Sequence, residues 1–158
     1  MRVLCAIGVR GGAELVRRTA ARICGDAQWH LLHVIDVGPR VDMERLGPPH
    51  RPPRPHPPHE RELNRAEGVG GEEALKEALD ALQALGLKGE ARLERGRPNE
   101  VIVEMAQRAN ADLIAIERRE RADHLRQGPA SLGHNARFIV DHAPCDVLLL
   151  RSGYGYGQ

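Results

Sequence analysis

Apolar residues fall in short runs separated by glycine, and longer stretches between them repeat at helical spacing. Val3 to Ile7 (VLCAI) is the first such run, closed by Gly8, Gly11 and Gly12, and it reads as a buried strand. Leu15, Val16, Thr19, Ala20 and Ile23 follow at helical spacing within residues 13–24, and Gly25 stops the helix. Trp29 to Ile35 (WHLLHVI) is a second strand, so the opening is a βαβ unit with parallel neighbouring strands. Glu72 to Leu85 is an amphipathic helix with Leu75, Ala78, Leu79, Leu82 and Leu85 on one stripe, ended by Gly86. Glu90 to Arg95 alternates polar with small or apolar residues, the pattern of a strand with one wet face at a sheet edge. Pro98 opens a helix whose stripe is Val101, Ile102, Met105, Ala106 and Ala109. Asp112 to Ile116 is the fourth strand, Leu132 to His142 a helix halted by Pro144, and Asp146 to Leu150 the fifth strand.

This alternation predicts an α/β fold: a Rossmann-like three-layer α/β/α sandwich around a five-stranded parallel sheet of order 3-2-1-4-5. Ligands in such sheets bind beyond the carboxyl ends of the strands at the switch point, so the loops after Ile7, Ile35 and Ile116 are the ones to watch. The whole chain, 1–158, reads as one domain. Residues 38–66 break the pattern. Eight of the eleven prolines lie between Pro39 and Pro58, and PPHRPPRPHPPH has no periodicity, so a mobile Pro/His-rich loop is expected, with a flexible Gly/Tyr tail at 152–158.

Composition narrows the chemistry. Aromatics are 3% of the chain, so aliphatic residues build the core and base-stacking platforms for nucleic acid are lacking. Net charge is +1, spread along the chain, which argues against nucleic acid or membrane as a partner. Cys5, Cys24 and Cys145 form no metal or redox spacing and point to free thiols in a reducing compartment; with no apolar run of membrane-spanning length and no signal-peptide pattern, a cytoplasmic protein is expected. No Walker, HExxH, GxSxG or GxGxxG pattern occurs, and no catalytic residue is assigned. His50, His56 and His59 are scattered metal-ligand types in the proline loop, weighed against a plain linker, and no metal site is assigned to them. Arg51 and Arg54 equally fit a docking peptide for a proline-reading partner. His30 and His33 sit on a central strand with no nucleophile beside them, which fits structural hydrogen bonding better than catalysis. His142 and Cys145 read as structural residues at the turn into the last strand.

Four stretches in order carry a family resemblance: VLCAIGVRGG, WHLLHVID with its His33-Val34 pair, ERGRPNEVIVEMAQRANADLIAI, and LGHNARFIVDHAPCDVLLLR, the last being the most specific. Together they resemble the universal stress protein (UspA-like) family. The resemblance implies an adenine-nucleotide site: an acidic residue after the first strand for the ribose, backbone at the end of the second strand for adenine, and a turn G-x-x-G, about nine residues, G-S/T for the phosphates. Glycines there let backbone N–H groups approach phosphate oxygens. This chain departs from the pattern. Gly8 stands at the acidic position, Glu117 and Glu120 at the first two turn glycines, and only Gly133 remains, followed by His134 in place of the hydroxyl residue. The spacing from Glu120 to Gly133 is about three residues longer than the motif, a loop insertion of modest cost.

What carries over is Val34 by its backbone and Gly133, so ATP or AMP is expected to bind weakly or not at all. The loop also holds Arg118, Arg119, Arg121, His124 and Arg126. They either rebuild an anion site with Gly133, His134 and Asn135 at a helix start, or pair with Glu117, Glu120 and Asp123 on a solvated face. The apolar last strand, Val147, Leu148, Leu149 and Leu150, lies at a sheet edge and predicts a homodimer through that edge. The functional expectation is a non-enzymatic stress-response or regulatory protein with lost or weakened ATP binding. The alternatives are an adenylyl- or phosphoryl-transfer enzyme using the arginine loop, or an interaction module using the Pro/His-rich loop.

Overall fold

In a computed structural model of the protein, residues 1–37, 57–118 and 132–151 are described, with backbone alone for 57–65 and 67. Strands β1 (Arg2–Ala6), β2 (Gln28–Asp36), β3 (Gly89–Gly96), β4 (Leu113–Arg118) and β5 (Asp146–Arg151) form one sheet. Helices α1 (Gly12–Ala20), α2 (Pro57–Ala84), α3 (Pro98–Arg108) and α4 (His134–His142) separate them. The strand order is β3-β2-β1-β4-β5, and every pairing is parallel. The predicted α/β architecture and order are those observed.

Side chains along each strand point alternately to the two faces, and the core divides accordingly. Val3, Cys5, Leu31 and Ala115 pack with Leu15 and Val16 of α1 and Leu75, Ala78 and Leu82 of α2. Leu4, Leu32, Ile114 and Ile116 pack on the other face with Ile102, Met105 and Ala106 of α3 and Ile139 of α4. Strand β3, read as half-wet, is an edge strand with most of its residues exposed or half-buried.

One expectation fails. The loop predicted over 38–66 is helical from Pro57 onward, because α2 starts well before Glu72. Prolines in a first helical turn forfeit only N–H groups that have no intrahelical partner, so Pro57 and Pro58 open the helix instead of breaking it. The Glu/Arg/Leu-rich run from Glu60 to Ala66 then favours helix by propensity without an apolar stripe. His59 is on that helix; His50, Arg51, Arg54 and His56 lie outside the described residues, as does the tail 152–158.

The three glycines of α2 lie close together, and they differ in what surrounds them. A β-carbon on Gly71 would stand 2.5 Å from His33 Cδ2 and 2.8 Å from its Nε2, whereas among the described residues nothing comes closer than 3.9 Å to those of Gly68 and Gly70. Gly71 thus lets the helix backbone lie directly on the buried His33 ring.

Candidate functional site

The chain reverses direction across the sheet between β1 and β4, which are adjacent strands. A crevice at their carboxyl ends is the predicted ligand position. The end of β1 is firmly held: Ile7 donates its N–H to the Leu32 carbonyl at 2.7 Å. Its own carbonyl accepts a hydrogen bond from His33 Nδ1–H at 2.8 Å. A carbonyl only accepts, so the proton is on Nδ1. His33 is 5% exposed, and it serves the fold by fixing the strand end from which Gly8 departs.

Gly8, half-buried, leads to the exposed Val9 and Arg10 and then to Gly11, which caps α1 in the left-handed region at φ 80°. Glu117, near the end of β4, reaches across the switch point to this cap. A β-carbon on Gly11 would lie 2.9 Å from Glu117 Oε2, with the rest of the carboxylate within 3.8 Å. Gly11 is therefore needed twice, for its positive φ and to make room for the carboxylate. The amino end of α1 carries positive potential, and Gly11 has no side chain with which to cap it. A carboxylate of the protein itself lies against the residue that caps this helix end. Gly12 is also tightly enclosed, with Ile7 Cγ2 2.6 Å from its β-carbon position.

The remaining sequence-nominated residues are distributed around this edge. Val34 is half-buried near the end of β2. Arg118, half-buried, ends β4. Gly133 caps α4 with extended backbone and no side-chain cap, with no described residue within 4 Å of its β-carbon position, and His134 and Asn135 are exposed in the first turn. The helix start expected at Gly133 is thus present. Arg119, Glu120, Arg121, Asp123, His124 and Arg126 lie outside the described residues. Among the described residues no group of three or more His, Cys, Asp or Glu side chains is placed to hold a metal.

The reading of the other histidines as structural has direct contacts behind it. His30 stands 4.0 Å from Glu90 Oε2 across the β2–β3 edge. His142 stacks on Phe138 at 4.1 Å and bonds its carbonyl at 2.9 Å. Cys145 packs, partly buried, against the α3–α4 core.

Sequence reasoning missed the role of Gly11. The Gly8, Gly11, Gly12 spacing after the first strand marked a turn, but nothing local linked Gly11 to a carboxylate more than a hundred positions away.

A family model described as the universal stress protein family matches residues 1–151, and the chain belongs to that family. Solved structures share its fold. UspA from Lactobacillus plantarum is 21% identical, with a TM-score of 0.71 over 96% of this chain and 97% of that one. A universal stress protein from Arabidopsis thaliana with AMP bound is 18% identical, with a TM-score of 0.63 over 98% and 93%. The universal stress protein from Archaeoglobus fulgidus in complex with dAMP is 19% identical, with a TM-score of 0.59 over 94% and 96%. A search of curated protein sequences gave no match.

Proposed function

We propose that this chain is a non-enzymatic stress-response regulator whose switch-point crevice keeps the position of an adenine-nucleotide site but binds ATP only weakly. The observation that carries the reading is the Glu117 carboxylate lying against Gly11. Like charges a few ångströms apart repel by about 1 kcal/mol in water and several times more near a protein surface. A triphosphate entering this edge meets that repulsion, and its binding energy falls with it. AMP and dAMP complexes of proteins with the same fold support the choice of adenine nucleotides as the ligand class.

Calorimetric titration with ATP tests the reading. Dissociation constants above about 100 µM, roughly 5.5 kcal/mol of affinity, are expected. Micromolar affinity contradicts the weakened site. ATP turnover that disappears in Arg118→Ala and Arg119→Ala variants contradicts the non-enzymatic assignment.

The proposal includes a homodimer through β5. Among the described residues this strand pairs only with β4, and Val147, Leu148 and Leu149 are partly exposed while Leu150 is buried. An unpaired apolar edge is an aggregation hazard unless a second copy covers it. Light scattering at micromolar concentration should give the mass of two chains, and the mass of one chain overturns this part. Three free cysteines are consistent with a cytoplasmic setting. No helix among the described residues is long and apolar enough to cross a membrane.

A further inference from the structure

A hollow on the α3 face of the sheet shares no lining residue with the switch-point crevice. We propose that this hollow binds a small carboxylate with an apolar body, such as an aromatic monocarboxylate, whose charge is held by Arg92 and Arg108.

Register places the wall residues. His30 pairs with Leu4 and Leu32 pairs with Arg92, so these side chains and Glu94, two residues on, share one face of β1, β2 and β3. The last turn of α3 faces them with Met105 and Arg108. The space enclosed is about 140 Å³. An apolar cavity of about 150 Å³ is large enough to take up benzene, so one ring is the size this hollow suits. Leu4, Leu32 and Met105 are buried and give it an apolar floor.

The charges favour an anion above that floor. Two guanidinium groups and the His30 imidazole line the hollow against one carboxylate, Glu94. Their protein partners leave hydrogen-bonding capacity over. Arg92 Nη2 and His30 Nδ1 approach the same oxygen, Glu90 Oε2, at 3.8 Å and 4.0 Å, both too long for hydrogen bonds. Arg108 donates through Nη2 to Glu104 Oε1 at 2.5 Å, which occupies one of the five N–H groups that a guanidinium carries. A carboxylate between the two arginines accepts from β3 on one side and α3 on the other, in the forked geometry that guanidinium groups favour. Glu94 opposes such a ligand, so its removal should tighten binding.

The test is a titration with benzoate and with its uncharged isostere benzamide, followed by the NMR shift of the Met105 methyl group, with the Met1 methyl as control. Benzoate is expected to shift Met105 saturably with a dissociation constant on the order of 1 mM, and benzamide to bind at least fivefold more weakly. Arg92→Gln should weaken benzoate at least fivefold, and Glu94→Gln should tighten it at least twofold, with circular dichroism melts confirming that both fold. Failure of benzoate to saturate the Met105 shift overturns the inference. Equal affinity for benzamide overturns it too, since the hollow then takes up a ring without reading its charge. A benzoate affinity unchanged in folded Arg92→Gln, or an equal shift at Met1, does the same. The benzoate–benzamide comparison on wild type decides the matter even where a variant fails to fold.

Discussion

Replacing glycine by alanine inside a helix ordinarily stabilises it by up to about 1 kcal/mol, through the unfolded chain's entropy. Gly71 in α2 should do the opposite. The new methyl would sit 2.5 Å from His33 Cδ2, 2.8 Å from His33 Nε2 and 3.0 Å from Leu93 Cδ1. The imidazole has little freedom to yield, since it is 5% exposed and tied to the Ile7 carbonyl at 2.8 Å. Overpacking of a filled core costs about 1–3 kcal/mol. Set against the propensity gain, the net loss for Gly71→Ala is about 1–2 kcal/mol, and a domain of this size loses about 2–4 °C of Tm for each kcal/mol. Gly68→Ala and Gly70→Ala are internal controls, since among the described residues their nearest neighbours stand at 4.0 Å and 3.9 Å. They should raise Tm by a degree or more. Thermal melts of the three variants by circular dichroism decide the point. A Gly71→Ala protein as stable as the other two refutes the close packing of α2 on His33. Adding His33→Ala to Gly71→Ala should recover part of the loss, because contacting residues are energetically coupled.

Three further outcomes are expected. The Asp112 carboxylate accepts the Arg2 backbone N–H at 2.7 Å, and that bond, with the Arg2 side chain second, holds its pKa below the usual aspartate value. Its stabilising contribution is therefore complete above about pH 4 and is lost as pH falls through the folded-state pKa; a carboxyl resonance titrating at or above pH 4 contradicts this. Burial pushes the Cys5 thiol up to about 12, and burial followed by the nearby Asp146 and Asp112 raises Cys145, whereas Cys24 is exposed. An aromatic disulfide reagent at pH 8 should modify Cys24 first, Cys145 slowly, and Cys5 only on unfolding; rapid labelling of Cys5 contradicts its burial. Trp29 is 2% exposed and its Nε1 has no hydrogen-bond partner among the described residues. Trp29→Phe removes that unsatisfied donor while leaving a ring, so denaturant unfolding should show a loss well below the 3–5 kcal/mol typical of truncating a buried aromatic residue to alanine.

The sheet was legible because its strands are short apolar runs punctuated by glycine and proline, and because strict alternation with helices leaves few topologies. Even the half-wet edge strand could be read from the alternation of Glu90 to Arg95. The start of α2 was not legible. Two prolines mask a helix start when they occupy its first turn, and the residues after them have no apolar stripe to announce a helix. At the site, substitution of Glu117 for a family glycine was visible in the chain. Its destination was not, since the contact with Gly11 depends on the β1–β4 pairing and on the left-handed cap of α1. Likewise nothing in the sequence singled out Gly71, and only the packing of α2 over His33 shows why glycine is required there.

The central claim is that the protein's own carboxylate holds the anion position at the switch point. A crystal structure determined with millimolar ATP present tests it most directly. Glu117 should remain packed on Gly11 with no phosphate at the amino end of α1. A triphosphate seated there, with Glu117 swung away toward solvent, would contradict it.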